Sequence, residues 1–316
     1  MSERIAVIGA GAWGTALAIL LAGAGRDVTL WARDPEKVAA LAATRENPRL
    51  PGVRLPEALR LTHEMPGADI ALVAVPMQTL RGILPTLPDA PLVLCCKGLE
   101  TGTHLLPPEI VQGRPAAILT GPNFAHEVAA GLPAAAVLAT PDAALRAALI
   151  AALHTGTLRL YGSADIIGAA LGGAAKNVIA IAAGVVMGAG LGENARAALI
   201  TRGLAEIGRL NVALGGRPET ISGLSGLGDL LLTCTGPSSR NFSLGFALGQ
   251  GQSLADILAT RAAVTEGVKT APALLARAAA TGTEMPITEA VTNLLEGEKT
   301  IPQTMAALMG RALKDE

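Results

Sequence analysis

The amino-terminal stretch Arg4-Ile-Ala-Val-Ile-Gly9-Ala-Gly11-Ala-Trp-Gly14 decides the fold of this chain. After Arg4 it is a short, continuous apolar run ended by a glycine, which is typical of a strand buried on both faces of a sheet. The next residues, 14–24, are mainly alanine and leucine and predict a helix closed by Gly25. The stretch therefore predicts a strand, a tight turn and a helix in immediate succession.

The turn carries Gly9, Gly11 and Gly14 in the spacing G-x-G-x-x-G. The first glycine allows a tight turn, the second lets a pyrophosphate approach the backbone, and the third lets the helix pack on the strand. The phosphates would meet the free N–H groups at the start of the helix. Although glycines can simply punctuate a turn, their place between a strand and a helix predicts a dinucleotide site.

Strand and helix signals continue to alternate up to about residue 165. Asp34-Pro35-Glu36 opens a second helix with a capping residue, a proline at the first position and an early acid. Further apolar runs are strand candidates at residues 28–31, 70–75, 92–96, 116–119 and 134–138. This alternation predicts an α/β fold with a Rossmann-like, doubly wound and mostly parallel sheet.

After residue 165 the strand signals end and only helices are predicted. They cover residues 165–187, 195–210, 224–233, 254–261, 270–281, 286–295 and 301–313. We therefore predict a dinucleotide-binding domain over residues 1–165 and an all-helical domain over residues 166–316, with a long helix across the boundary.

The composition excludes several classes of protein. Of 316 residues, 50% are hydrophobic, 16% are charged and 2% are aromatic, so the chain can bury a large core of small residues and is not intrinsically disordered. The net charge of −1 leaves no basic surplus, which together with the few stacking aromatics argues against a nucleic-acid partner. The four histidines are scattered and no cysteine pair has ligand spacing, so no metal site is predicted.

Cysteine usage and apolar stretches bear on the compartment. Three cysteines, two of them adjacent, form no disulfide framework, and the amino terminus lacks a signal-peptide pattern. A cytoplasmic protein is therefore expected. The uncharged stretch 178–192 is shorter than the roughly 20 residues that a membrane span needs, so it is expected to be a buried core helix and not a membrane insertion.

The end of the second strand bears on the choice of dinucleotide. An acid there binds the ribose 2′-hydroxyl of NADH, whereas an arginine accepts the 2′-phosphate of NADPH. The chain offers both, as Arg33 and Asp34. Because Asp34 precedes Pro35 it can serve as a helix cap, while Arg33 has no such structural role. NADPH is therefore favoured as the cofactor, with NADH as the alternative.

Lys176 stands on a predicted helix beside small residues, among them Gly172, Gly173 and Ala180. Such a ridge lets another backbone or a small ligand approach closely. One interpretation is tight helix packing, with the lysine extended to solvent. The other is a functional lysine near the core, where burial lowers a lysine's pKa and makes it a usable acid or base. The apolar flanks favour the functional interpretation.

Three other segments are candidate sites. Lys97 ends an apolar run at the edge where open α/β sheets bind ligands. Asp229 and Thr233 are spaced i, i+4 in an otherwise apolar helix, and Ser238-Ser239-Arg240-Asn241 gathers donors suited to phosphate in a predicted loop. Each also has a structural interpretation, respectively a solvated strand end, a helix start with back-bonding, and a solvated loop.

Together, eight segments resemble the bacterial NAD(P)-dependent glycerol-3-phosphate dehydrogenases over nearly the whole chain. They are Gly9-Ala-Gly-Ala-Trp-Gly-Thr-Ala16, Lys97-Gly-Leu-Glu100, Gly121-Pro-Asn-Phe-Ala125 with Glu127, Gly173-Ala-Ala-Lys176-Asn177, Asn194–Gly203, Gly226-Leu-Gly-Asp229-Leu, Ser239-Arg240-Asn241 and Val264-Thr-Glu266-Gly267. The resemblance implies a cytoplasmic, commonly homodimeric enzyme that reduces dihydroxyacetone phosphate reversibly to sn-glycerol 3-phosphate for phospholipid synthesis. The helical domain would then hold the substrate and the catalytic groups.

The resemblance also implies roles for individual residues. Lys176 would be the proton donor and acceptor, oriented by Asp229, and Lys97 a second lysine that binds the substrate near the nicotinamide. Further substrate contacts are implied for Gly121, Asn123, Asn177, Asp229, Thr233, Ser239, Arg240 and Asn241. Cofactor contacts are implied for the glycine turn and for Ala12, Trp13, Arg33, Lys97, Ala125, Arg240, Val264 and Glu266.

The chain departs from the family's pattern at two of these positions. Relatives often carry serine at position 12 and serine or threonine at position 123. Ala12 therefore lacks the hydroxyl that would contact a cofactor phosphate, and Asn123 keeps a hydrogen-bond donor on a side chain of different length.

Two alternatives are set against this resemblance. β-Hydroxyacid dehydrogenases share the Rossmann-like domain and a Gly-x-x-x-Lys helix, but they carry an asparagine four residues after the lysine, where this chain has Ala180. A regulator that binds a dinucleotide without turnover would need a partner-binding or DNA-binding surface, and the near-neutral charge argues against one.

Overall fold

The computed structural model describes residues 3–261 and 264–312, which form two compact units. The first unit comprises the chain up to Lys97 together with Leu105–Ala170, and the second comprises Gly98–His104 and the chain from Leu171 onward. The change from one unit to the other falls inside a single long helix, Ile166–Gly188. The short segment Gly98–His104, which we assigned by sequence to the first domain, groups with the second unit.

The first unit is built on an eight-stranded sheet. Its strands and those of a separate two-stranded hairpin are β1 (Arg4–Ile8), β2 (Asp27–Trp31), β3 (Glu46–Asn47), β4 (Leu50–Arg54), β5 (Arg60–Thr62), β6 (Ile70–Val73), β7 (Leu92–Leu94), β8 (Ala116–Thr120), β9 (Ala134–Ala139) and β10 (Leu158–Ser163). The order in the large sheet is β10-β9-β8-β7-β6-β1-β2-β5, and β3 pairs with β4 alone. Every neighbouring pair in the large sheet is parallel except β8 and β9. The predicted mostly parallel, doubly wound sheet is confirmed.

Strand β1 lies between β2 and β6 in the middle of the sheet. Its residues from Ile5 to Ile8 are all buried, as are all four residues of β6. Burying a valine or isoleucine side chain stabilises a fold by about 1.5–3 kcal/mol. The apolar run at the amino terminus therefore seeds the core of this unit.

Helices connect the strands of the first unit. They are α1 (Ala12–Gly23), α2 (Pro35–Thr44), α3 (Leu80–Ile83), α4 (Pro107–Ile110), α5 (Ala125–Ala129) and α6 (Ala143–Leu153). Gly25 closes α1 in the left-handed conformation, with φ of +76°. Asp34 caps α2 by accepting the backbone N–H of Glu36 at 2.9 Å. Both local expectations are confirmed.

The second unit has no strand among its described residues. Its helices are α7 (Ile166–Gly188, from Leu171), α8 (Glu193–Ala213), α9 (Pro218–Ser222), α10 (Asp229–Cys234), α11 (Arg240–Gly249), α12 (Leu254–Ala259), α13 (Glu266–Ala279), α14 (Pro286–Leu295) and α15 (Ile301–Met309). The predicted helix 224–233 is divided, because residues Leu224–Gly228 form a π-helical turn before α10. The predicted end of the last helix at Leu313 lies outside the described residues.

Glycines let α7 and α11 pack at backbone contact. A Cβ atom on Gly184 would lie 2.1 Å from the carbonyl oxygen of Phe242, and one on Gly245 would lie 2.0 Å from the carbonyl oxygen of Ile181. No side chain fits at either position, so the two backbones touch. Around Gly184 the small residues of α7 therefore serve helix packing. They hold α11 against the helix that carries Lys176.

Helix α7 is long and apolar enough to cross a bilayer by length and composition. Most of its residues are nevertheless buried within the protein. This burial agrees with the expected core helix.

Candidate active site

A buried lysine forms the centre of the site in the second unit. The Lys176 ammonium donates to the Asp229 carboxylate and, at 3.0 Å, to the Thr233 hydroxyl oxygen. The Thr233 hydroxyl donates in turn to the Asp229 main-chain oxygen at 2.6 Å, so its oxygen is left to accept from the lysine. Lys176 is 7% exposed and Asp229 is fully buried. The ammonium is thus held in one geometry, with its charge compensated, in a largely dry place.

The π-helical turn positions Asp229 over α7. A Cβ atom on Gly226 would lie 2.0 Å from the Ile221 carbonyl oxygen, and one on Gly172 would lie 2.3 Å from the Ser225 carbonyl oxygen. The turn therefore rests directly on the backbone of α7, one helical turn before Lys176. Single π-turns within helices are frequent at functional sites.

A chain of amide hydrogen bonds runs beside the lysine. The backbone N–H of Gly267 donates to Asn241 Oδ1 at 3.0 Å, and Asn241 Nδ2 donates to Asn177 Oδ1 at 2.9 Å. A Cβ atom on Gly267 would lie 2.6 Å from Asn241 Oδ1, so only glycine allows this approach. Because Asn177 accepts on its oxygen, its NH₂ group is directed away from Asn241 and is oriented as a donor.

Ser239 and Arg240 begin helix α11, which corrects the predicted loop at residues 238–241. Ser239 is the cap and accepts from the Phe242 N–H at 3.2 Å. Serine is a favourable capping residue, and α11 starts at the next position. The exposed Arg240 side chain donates to the Val264 carbonyl oxygen at 2.8 Å. A guanidinium at the positive end of a helix favours an anion.

The three glycines of the turn in the first unit meet different surroundings. Gly9 has φ of +113°, and a Cβ there would lie 2.7 Å from the Ala74 carbonyl oxygen. A Cβ on Gly14 would lie 2.0 Å from the Gly9 carbonyl oxygen, whereas one on Gly11 meets nothing within 4 Å. The open space at the Cβ position of Gly11 lies at the start of α1, where the free N–H groups suit a pyrophosphate. These residues therefore fit a dinucleotide.

Two residues that the sequence analysis missed hold this turn. The Ala10 carbonyl oxygen accepts from Lys37 Nζ at 2.7 Å and from Asn47 Nδ2 at 3.2 Å. Asn47 also donates to the Thr15 hydroxyl at 2.7 Å. Burial lowers the pKa of Lys37, and the charge of Arg49 lowers it further. No local sequence pattern predicts the role of Asn47, because it lies on a hairpin that is distant from the turn in the sequence.

Arg33, the predicted cofactor contact beyond β2, is exposed. Ala12 and Trp13 are the first two residues of α1. Ala125 is the first residue of α5, which packs against α1. Ala12 and Trp13 therefore adjoin the glycine turn, and Ala125 lies on a helix that packs against α1.

Lys97 and Gly121 come together at the carboxyl ends of β7 and β8. The Lys97 ammonium donates to the Gly121 carbonyl oxygen at 3.4 Å. Gly121 has φ of +149°, where glycine is favoured. The Asn123 NH₂ group donates to the Ala135 carbonyl oxygen at 3.1 Å, while its Oδ1 and the Thr120 hydroxyl are buried with no hydrogen-bond partner in the part of the chain that the structure describes. Such groups mark a place where a polar ligand or water completes the bonding.

The chain matches models of a known enzyme family over both of its units. Residues 4–146 match the NAD-dependent glycerol-3-phosphate dehydrogenase N-terminus, and residues 165–306 match the NAD-dependent glycerol-3-phosphate dehydrogenase C-terminus. The chain belongs to the NAD-dependent glycerol-3-phosphate dehydrogenases.

Similar proteins include the glycerol-3-phosphate dehydrogenase [NAD(P)+] of Acidiphilium cryptum, 63% identical over 99% of this chain and 98% of that protein. The protein of the same name from Gluconobacter oxydans is 55% identical over 98% of this chain and 97% of its own. The crystal structure of glycerol-3-phosphate dehydrogenase from Coxiella burnetii superposes with a TM-score of 0.93 at 38% identity, covering 98% of this chain and 99% of that one. These matches extend over both units of the dehydrogenase.

Several predicted site residues of the dehydrogenase are bonded to one another in the second unit. In the second unit Lys176 meets Asp229 and Thr233, and Asn177 meets Asn241. Arg240 meets Val264 there, and Glu266 precedes the bonded Gly267. Gly267 itself was not predicted as a site residue, although it lies within one of the eight matching segments.

The three cysteines of the dehydrogenase are buried and form no disulfide. Burial raises the pKa of the Cys234 thiol to about 12, so it is neutral and a poor nucleophile. Among residues 3–261 and 264–312, no group of three His, Cys, Asp or Glu side chains could hold a metal ion.

Proposed function

We propose that this dehydrogenase interconverts dihydroxyacetone phosphate and sn-glycerol 3-phosphate with NAD(P)H and so supplies glycerophospholipid synthesis. The observation that carries the proposal is the buried Lys176 ammonium, bonded to Asp229 and Thr233. Reduction of a ketone needs a proton at the oxygen that gains negative charge, and a positioned ammonium supplies one.

NADPH or NADH, when bound, supplies the hydride that the ketone carbon receives. Lys176 gives a proton from Nζ to the ketone oxygen, so one N–H bond breaks and one O–H bond forms. The lysine then regains a proton from solvent. Asp229 stabilises the ammonium before transfer and orients it, and in the reverse direction the neutral amine accepts the alcohol proton.

The substrate phosphate needs donors at a fixed distance from the ketone, because orientation contributes much of the rate. Arg240 and Ser239 at the start of α11 suit that role, as do the oriented amides of Asn177 and Asn241. Lys97, Gly121 and Asn123 are further substrate contacts in this proposal. Arg240, Val264 and Glu266 also contact the cofactor, together with the residues around the glycine turn.

NADPH is the preferred cofactor in this proposal. The support is Arg33, exposed beyond β2, beside an Asp34 that is already engaged in capping α2. An exposed guanidinium suits a 2′-phosphate.

The protein is proposed to act in the cytoplasm as a homodimer, without membrane insertion and without a nucleic-acid partner. Large apolar side chains exposed on the second unit, such as Leu231 and Leu258, support an association surface. A solution mass near twice 31.8 kDa by light scattering would support the dimer, and a mass of one chain would oppose it.

The decisive experiment replaces Lys176 by methionine and follows NADPH and NADH oxidation separately with dihydroxyacetone phosphate. Turnover should fall by about 10²–10⁴-fold, the usual contribution of a general acid, while NADPH binding is retained. Lys299→Met, at an exposed lysine of the same unit, is the control and should keep full activity.

Removing the ammonium takes away the positive charge that pairs with the buried Asp229, and breaking a buried ion pair costs about 3–5 kcal/mol of stability. The double variant Lys176→Met/Asp229→Asn removes that charge and should fold, bind NADPH and remain inactive. Normal turnover in either variant would refute the proposed mechanism. A wild-type protein that reduces NADP+ with hydroxy acids, but does not oxidise NADPH with dihydroxyacetone phosphate, would refute the proposed substrate.

A further inference from the structure

Arg261, two residues after α12, is bonded to the first turn of α11. Its Nη1 donates to the Arg240 carbonyl oxygen at 2.8 Å, and its Nη2 donates to the Ser243 hydroxyl at 3.1 Å. The Ser243 hydroxyl also donates to the Arg240 carbonyl oxygen, at 3.2 Å. One guanidinium therefore spans two acceptors on the same helical turn, which only the planar fork of arginine does well.

The Arg240 side chain bonds to the segment that precedes α13. Its own Nη1 donates to the Val264 carbonyl oxygen at 2.8 Å. The main chain of Arg240 is thus held by Arg261, and its side chain is held by Val264. Together these bonds attach the start of α11 to the segment that leads into α13.

The two guanidinium groups repel each other. Burial lowers the pKa of Arg261, and the positive charge of Arg240 lowers it further, although a guanidinium stays protonated in proteins. No carboxylate pairs with Arg261 in the described ranges of the chain. Bringing two like charges together is unfavourable, and a phosphate bound at Arg240 would be attracted by both guanidinium groups.

We propose that Arg261 is a positioning residue for the substrate phosphate, acting through Arg240. The proposal rests on the proposed function, because it assigns Arg240 to the phosphate of dihydroxyacetone phosphate. Arg261 keeps the first turn of α11 in place and adds positive charge at close range. It does not touch the lysine centre, so its loss weakens substrate binding more than it slows the chemical step.

The test compares Arg261→Gln and Arg261→Lys with Arg209→Gln. Arg209 is the matched control, an exposed arginine of the same unit that donates to a main-chain oxygen, that of Glu284, at 3.1 Å. Arg261→Gln should raise KM for dihydroxyacetone phosphate about tenfold, since misplacing a binding group costs one to two orders of magnitude. The kcat should stay within about twofold of wild type. KM for NADPH should rise by less than KM for dihydroxyacetone phosphate, because Arg240 is only one of many proposed cofactor contacts. Arg261→Lys, which keeps the charge but not the fork, should recover part of the loss.

Inorganic phosphate serves as the probe of the anion site. Its inhibition constant against dihydroxyacetone phosphate should rise in parallel with KM in Arg261→Gln and stay unchanged in Arg209→Gln. Ser243→Ala removes one acceptor of Arg261 and should act in the same direction by about twofold to threefold. It serves as the second variant if Arg261→Gln does not fold.

The inference is overturned if KM for dihydroxyacetone phosphate and phosphate inhibition match those of the control. It is also overturned if KM for NADPH rises as much, or if activity falls only in step with the unfolding temperature. All of these results concern the variants, so they would overturn the inference without contradicting the proposed function of the wild-type enzyme. A wild-type enzyme that does not use dihydroxyacetone phosphate at all would instead refute the proposed function.

Discussion

Gly9, Gly11 and Gly14 share one motif but answer to different constraints. The first and third are required by the fold itself, because a Cβ on either would lie within 2.7 Å of a carbonyl oxygen. Gly11 has ordinary extended backbone angles, φ −76° and ψ 176°, and open space before it. Nothing in the described protein therefore requires glycine there, and the proposed ligand does.

Replacing Gly11 by valine should separate the ligand from the fold. The unliganded protein should still fold, with a free energy of unfolding lower by about 0.5–2 kcal/mol, since valine is less favourable than glycine at a helix cap. NADPH binding, measured by fluorescence titration, should be lost because the side chain occupies the place of the pyrophosphate. Retained NADPH affinity in Gly11→Val would show that the phosphates bind elsewhere.

The sequence predicted such local features well and long-range ones poorly. The cap at Asp34 and the spacing of Asp229 and Thr233 follow from neighbouring residues, and both were predicted. The bond from Lys176 to Asp229 joins residues 53 positions apart. Spacing alone could not establish it, and only the family resemblance led to its expectation. Lys176 was singled out because a lysine among glycines and alanines is unusual in a core, and because the resemblance assigns the proton donor to it.

Helix α11 shows why one element escaped prediction. Gly245 and Gly249 weaken a helix by about 1 kcal/mol each relative to alanine, and no helix was predicted over residues 240–249. In the folded protein a Cβ on Gly245 would collide with the Ile181 carbonyl oxygen, and one on Gly249 would lie 2.5 Å from that of Val185. The glycines that lower helix propensity are those that permit backbone contact with α7.

The edge strands were missed for a related reason. Strand β10 alternates buried and exposed residues before an exposed end, and β5 has three residues, none of them buried. Both lie at the margins of the sheet. Neither has the continuous apolar run that marked β1 and β6, because a sheet margin is only partly covered.

The α7–α11 contact predicts a large difference between two glycine-to-alanine changes. Gly184→Ala should lower the free energy of unfolding by about 3 kcal/mol or more, because the added methyl would overlap the Phe242 carbonyl oxygen and force the helices apart. Gly208 on α8 has nothing within 4 Å of its Cβ position, so Gly208→Ala should stabilise by about 0.5–1 kcal/mol. Urea denaturation followed by circular dichroism measures both. Equal effects of the two changes would contradict the close packing.

At the scale of the whole molecule, α7 belongs to both units. Its first residues, up to Ala170, group with the sheet, and those from Leu171 group with the helices. Breaking the helix at the boundary would leave two new ends with unsatisfied backbone groups. Unfolding of one unit should therefore destabilise the part of α7 that belongs to the other unit.

The two tryptophans allow this coupling to be measured. Trp13 and Trp31 are the only tryptophans of the chain, and both lie in the first unit, whereas the second unit has no strand among its described residues. Tryptophan fluorescence thus reports the first unit, and far-ultraviolet circular dichroism reports mainly the second. We expect one urea midpoint by both probes, since coincident transitions mark a cooperative unit.

Ligand and mutation should then act across the boundary. NADPH at 100 times its Kd stabilises the state that binds it by about 2.7 kcal/mol, and both midpoints should rise together although the glycine turn lies only in the first unit. Gly184→Ala, whose change lies in the second unit, should lower both. Two separate transitions, with NADPH moving only the fluorescence midpoint, would show that each unit folds alone and that α7 frays at residue 170.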